Sequence, residues 1–285
     1  MLNEIQLRDR LQVIAENKFH LSGNDDLSEI IPDMLNHIGS TDSYLRDDLI
    51  YSAFGTWILH HNIINQEQLR SLLAMILDER HMLYKIGEKN TDSVFRRSFS
   101  VLLLPLLLIT HRSQPFLTAP EIHQIKEKLL FYLENEKDTR GFVIEKGWAH
   151  AVAHAADALD DLVQCSEIDK SDLAKILEAI RHVICIRDTV YIHGEEERVV
   201  TAVIAIIKRE LLSDTEISQW IQSFAENVLL IKPMPERQII RANVKNFLQS
   251  LYFRLQWEQQ TADKFDTCIN QTLKKINPFI KQEDG

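Results

Sequence analysis

Glycine and proline are scarce, at 8 and 7 residues in a chain of 285. A turn-rich β-sandwich or a disordered chain needs more of both, so the shortage points to helices joined by short connections. Cysteine is scarcer still. Cys165, Cys185 and Cys268 are far apart and odd in number, with no Cys-x-x-Cys pair. Neither a disulfide framework nor a structural zinc cluster is expected, and reduced thiols suit a cytoplasmic protein. Basic charge is also short: 32 Lys and Arg face 42 Asp and Glu, a net charge of -10 with no basic stripe, so no nucleic acid is expected as partner.

Long apolar runs are missing too. Val101-Leu-Leu-Leu-Pro-Leu-Leu-Leu-Ile109 falls below the roughly 20 residues that span a bilayer, and Pro105 sits in its middle. A buried, kinked helix is expected there, and no membrane partner. The first residues, Met1-Leu-Asn-Glu-Ile-Gln, have no basic or apolar region of the signal-peptide kind. Gly-x-Gly-x-x-Gly, a Walker loop, a Gly-x-Ser-x-Gly elbow and the kinase set are all absent.

Helical periodicity is what the chain does have. Apolar residues recur at helical spacing in Leu69, Leu72, Leu73, Ile76 and Leu77, and again in Leu173, Ile176, Leu177, Ile180 and Val183. Ser40-Thr-Asp42 supplies caps for a helix to about His60, and Asn65 opens one to about Tyr84. Thr118-Ala-Pro-Glu121 and Ser213-Asp-Thr-Glu216 are capping boxes. About a dozen helices pair, with first members starting near 42, 91, 147, 195 and 236. That spacing predicts an all-α HEAT/armadillo-like superhelix, with a closed α/α toroid as the alternative. Residues 1–285 form one solenoid-like domain in this reading, with 279–285 as a frayed tail.

One stretch stands apart, Glu145-Lys-Gly-Trp-Ala-His-Ala-Val-Ala-His-Ala-Ala-Asp-Ala-Leu-Asp-Asp161. Rich in Ala, it is read as a helix from about residue 147, with His150, His154, Asp157 and Asp161 along one face. Trp148, Val152, Ala155 and Leu159 take the opposite, buried face. His and Asp are poor helix formers, so the polar stripe is read as the floor of a groove.

Further unusual polar residues fall on alternate helices: Arg46, Asp47 and Asp48; Arg96 and Arg97; Glu195, Glu196, Glu197 and Arg198; Arg241, Asn243 and Lys245. Mostly in first turns, they are expected to converge at one rim of a concave surface. The ligand set is Arg46, Asp47, Arg97, Trp148, His150, His154, Asp157, Glu196 and Arg198. Acidic residues in a first turn also serve the helix dipole, whereas Arg96 and Arg97 oppose it and call for carboxylate partners. His150 and His154 have the spacing to share a metal, which Asp157 would complete. Ala151 stands where a His-Glu-x-x-His protease needs its glutamate, and the reading is no metal and no cofactor. An unknown ligand or protein partner in the groove is the first functional reading; a hydrolase using His150, His154 and Asp157 is the alternative.

Tyr44-Leu-Arg-Asp-Asp-Leu-Ile-Tyr51, Phe95-Arg-Arg-Ser-Phe99, Arg140-Gly-Phe, Glu145 to Asp157 and Gly194-Glu-Glu-Glu-Arg198 together resemble the bacterial domain of unknown function 2785 family. The resemblance covers most of residues 40 to 255, and the Gly-Trp-Ala-His stretch is its most specific part. It implies a helical cytosolic protein and supplies no activity, cofactor or catalytic residue.

Overall fold

Capping side chains decide where many of the helices begin. Asn3, Asn65, Thr118, Asp169 and Ser213 each close a capping box with Gln6, Gln68, Glu121, Asp172 and Glu216, satisfying backbone N–H groups that a helix start leaves open. The computed structural model describes all residues except Asn24, 259–263 and 281–285. Most of the expected tail therefore lies outside the described residues. Among the described residues the fold is all-α apart from one short hairpin.

Two compact units divide at Glu167 and Ile168. The first contains α1 (Glu4–Glu16), α2 (Leu27–Asn36) and a continuous helical run, α3. The run comprises a π-helical segment Tyr44–Tyr51, a turn Ser52–Gly55 and a second π segment Thr56–His60. Then come α4 (Gln66–Ile76), α5 (Ser93–Leu102), α6 (Leu104–Ser113) and α7 (Ala119–Asn135). Strands β1 (Phe142–Val143) and β2 (Gly147–Trp148) precede α8 (Ala151–Val163). α4 ends a turn and more before the expected Tyr84, because residues 77–87 close into successive turns.

The apolar run is two helices. Leu103 interrupts it, and Pro105 occupies the first turn of α6, where its missing N–H costs nothing. Ser93–Ser113 is 21 residues long and apolar enough by composition to cross a membrane, yet 83% of its apolar window is buried inside the fold.

α8 is the centre of the first unit, with α5, α6 and α7 packed on it. Every α8 residue is buried except Asp157 and Asp160, which are partly exposed. Its alanines are explained by that enclosure, since small side chains let neighbouring helices approach on several sides.

The second unit holds α9 (Lys170–Ile184), α10 (Glu195–Lys208), α11 (Asp214–Leu230), α12 (Glu236–Trp257) and α13 (Asp266–Ile276). Alternate helices pack, α10 on α12 and α11 on α13. Trp220, Phe224 and Phe247 form an aromatic cluster with centroids 5.0–6.1 Å apart. Asn243 is part of this framework: its amide accepts from the Tyr191 N–H (3.0 Å) and donates to the Thr189 carbonyl (2.9 Å), pinning the loop before α10.

Candidate functional site

The central helix starts later than its alanine content suggests. Phe142 pairs with Trp148 and Val143 with Gly147 in an antiparallel hairpin, and His150 caps α8 at φ 44°, in the left-handed region. Gly147 is left-handed too, at φ +78°. A Cβ there would sit 2.8 Å from the Ser43 Cβ and 3.1 Å from Arg46 Nη2, so only glycine fits. Trp148 and His150 therefore lie off the helix, and Trp148 is 39% exposed where a buried position was expected.

Arg46 is what holds the hairpin. It emerges from the first π segment of α3, a rare helix form that often marks functional positions. Its side chain is fully buried. Nη1 donates to the Ser40 carbonyl (2.7 Å), and Nη2 to the carbonyls of Lys146 (2.9 Å) and Trp148 (3.4 Å). The rings of Phe95 and Phe99 pack against the guanidinium, with centroids 4.4 and 4.5 Å from its carbon. Nε lies 2.8 Å from Asp47 Oδ1, an ion pair without hydrogen-bond alignment.

Rings continue the structure outward. Phe99 meets His154 edge-on at 5.0 Å, His154 meets His150 at 5.8 Å, His150 stacks on Trp148 at 4.2 Å, and Trp148 meets Phe142 at 5.0 Å. His150 and His154 are 6% and 5% exposed. The stripe expected to floor an open groove is thus mostly interior, because α8 has neighbours on nearly every side. Asp157, one turn on, is only partly buried. Among the described residues no three His, Cys, Asp or Glu side chains form a metal-ligand group, so His150, His154 and Asp157 do not assemble as one.

Arg97 is a separate clamp. Nε and Nη2 grip Glu136 at 2.6 and 2.9 Å, and the remaining donors reach the Tyr84, Lys85 and Glu88 carbonyls and the Ser93 hydroxyl. Burial works against its charge, but Glu136 outweighs that and holds it above the ordinary arginine value. Every donor is committed within the fold, so the carboxylate partner expected for Arg97 exists and its ligand role has no donor left. Sequence reasoning missed Glu136 and the buried Asp138, which takes Arg140 Nε and Nη2 at 2.8 and 2.7 Å. Both precede the hairpin in an irregular segment with no helical period to flag them.

Two aspartates carry raised pKa values. Asp47 is pushed up to about 6 by burial, against the pull of Arg46 and with Asp48 adding to the rise. Asp161 also reaches about 6, again through burial first, with Arg112 opposing and Asp160 and Asp157 reinforcing. A raised acid pKa means that the folded state holds the proton more tightly, so stability is lost as pH rises from about 4 to 6. Replacing Asp161 by asparagine should leave stability unchanged at pH 4 and raise it by about 1–2 kcal/mol at pH 7.5. Urea denaturation of both proteins across that range checks this; a difference independent of pH would refute it.

Glu196 and Arg198 lie in the first turn of α10 in the second unit. Glu196 is raised by burial and by Glu195 and Glu197. Cys185 is pushed to about 11 by burial, the behaviour of a packed thiol.

A family model described as "Protein of unknown function (DUF2785)" matches residues 82–253. The chain belongs to this family. The DUF2785 span takes in Arg97, Glu136, the hairpin and α8, along with Glu196 and Arg198, and leaves Arg46 outside it. No curated protein and no solved structure matches the chain.

Proposed function

We propose that this DUF2785 protein works by binding a partner protein, not by catalysis, and that the β1–β2 hairpin is the contact. One observation carries the reading: a fully buried arginine, bonded through both terminal nitrogens to backbone carbonyls, anchors a hairpin whose own apolar side chains face solvent. Phe142, Ile144 and Trp148 are 50%, 82% and 39% exposed within seven residues. Exposed apolar groups clustered on an anchored element mark interaction sites, and aromatic side chains supply most of the energy at such contacts. The hydrolase alternative has less behind it, since both imidazoles are enclosed and packed against rings.

A HEAT-like superhelix in the cytoplasm is the setting in which we place this activity. The alternate packing of α10 on α12 and α11 on α13 supports the repeat, and three free thiols suit the compartment. Photo-crosslinking tests the contact. A photoreactive phenylalanine at Ile144, in cells that carry the protein, should yield a discrete adduct that disappears when Phe142→Ser and Trp148→Ser are added. The same label at exposed Glu79 should give none. Equal labelling from both positions, or none from Ile144, would defeat the proposal.

A further inference from the structure

Besides the exposed side chains of the hairpin, the first unit has a second feature that its helical packing does not require. A cleft of about 410 Å³ opens between Gly39, the segment Tyr84–Glu88 and the start of α5, where Asp92, Ser93 and Arg96 line it. The size lies within the range of small-molecule sites, about 300–1,000 Å³.

Charge within the cleft is unevenly compensated. Glu88 is neutralised from three sides: the hydroxyls of Thr91 and Ser93 donate to its Oε2 at 3.0 and 2.8 Å, and Lys85 lies 3.7 Å from its Oε1. Asp92 is held by Lys146, whose Nζ reaches both its oxygens at 2.7 and 2.8 Å. Among the described residues Arg96 makes no ion pair, although the Asp78 carboxylate acts on it from beyond contact distance and favours its charge. Its Nη2 donates to the Asn36 carbonyl (2.6 Å) and Nη1 to the Arg80 carbonyl (3.5 Å), and its guanidinium carbon lies 5.3 Å from the Tyr84 ring centre. Two of its five N–H groups are thereby used on neutral acceptors, the other three have no hydrogen-bond partner among the described residues, and the half-buried side chain lines the cleft.

The fold also makes room for this arginine. A Cβ on Gly39 would fall 2.6 Å from the Arg96 Cβ and 2.8 Å from its Cα, so glycine is what allows the segment to close over it. The carbonyls and the ring fix the guanidinium without cancelling its charge. Arg97, one residue on, shows the contrasting solution, with a carboxylate built in.

We infer that this cleft binds a small molecule bearing a phosphate or carboxylate group, with the anion on Arg96 and with Lys85, shared with Glu88, as the second cation. A guanidinium with adjacent free N–H groups is matched to the two oxygens of either group. The cleft is larger than a lone oxyanion requires, so the anion is a substituent on a larger body.

Three probes test this: phenyl phosphate, benzoate and inorganic phosphate, with phenol as the neutral control. Titrations are followed by NMR at the Arg96 Nε–H and the Asp92 and Ser93 amides. Saturable shifts are expected with phenyl phosphate or benzoate and none with phenol. Arg96→Gln should weaken binding by about tenfold or more, through loss of a charge-assisted contact. Lys232→Gln, in the second unit, should leave it unchanged. Should Arg96→Gln fail to fold by circular dichroism, Arg96→Lys and Lys85→Gln carry the test, each expected to weaken binding about threefold to tenfold. Shifts that map outside the cleft, or unaltered affinity in the folded variants, would overturn the inference. So would binding of inorganic phosphate at least as tight as phenyl phosphate, an adventitious ion only.

Discussion

Replacing Arg97 by methionine is expected to destabilise the protein by about 3–5 kcal/mol, the cost of leaving a buried charge without its partner. The reason lies with Glu136 more than with Arg97. The Glu136 side chain is only 3% exposed, and without the guanidinium it keeps the N–H groups of Lys137 and Asp138 on its Oε1 but no counter-charge. The methionine variant also strands two carbonyls, those of Tyr84 and Glu88, in the turns between α4 and α5, while that of Lys85 keeps the Glu88 N–H. Pairing Arg97→Met with Glu136→Gln should return part of the loss, since a neutral amide is cheaper to bury than a carboxylate. A coupling energy of about 2 kcal/mol between the two positions is expected from chemical denaturation of the four proteins. Additive losses would show that the ion pair is not the unit that matters.

How far the sequence carries depends on the range over which each feature is determined. Helix starts are local. The boxes at Thr118 and Ser213 are readable because cap and partner sit three residues apart, and both open helices where expected. The break at Pro105 is equally local. The arginines at 96 and 97 are half legible: a cation in a helix's first turn signals a partner elsewhere, but nothing in the chain says that Arg97 has Glu136 while Arg96 has only carbonyls. The hairpin is the feature that was hidden. Alanine-rich sequence after Gly147 favours a helix from that point on, and the left-handed turns at Glu145, Gly147 and His150 overrule it. What stabilises those turns is a side chain about 100 residues earlier, bound to backbone carbonyls that have no residue type to read. His150 and His154 stand out in the sequence because a polar stripe is uncommon in so alanine-rich a segment, although only His154 lies within α8. Their enclosure follows from how many helices pack on α8, which periodicity does not reveal.

The Arg46→Lys exchange isolates the anchor, because it keeps the charge and removes the plane and the fork. A lysine reaches at most part of the Ser40, Lys146 and Trp148 carbonyl set and has no flat face for Phe95 and Phe99 to pack against. The buried ammonium would then lack good acceptors, and a loss of about 2–4 kcal/mol is expected. The local effect should exceed the global one. With its two carbonyl contacts gone, the hairpin is free to lift, and Trp148 should lose its stack on His150, 4.2 Å away in the native protein. Tryptophan fluorescence is crowded by Trp57, Trp220 and Trp257, so the readout is the ¹⁹F signal of a fluorotryptophan-labelled protein, assigned by Trp148→Phe. In the native protein one sharp Trp148 resonance is expected, and in Arg46→Lys a shifted or exchange-broadened one, while the other three stay in place. If Trp148 is unmoved and only stability falls, Arg46 supports the core alone, and the hairpin is held by something else.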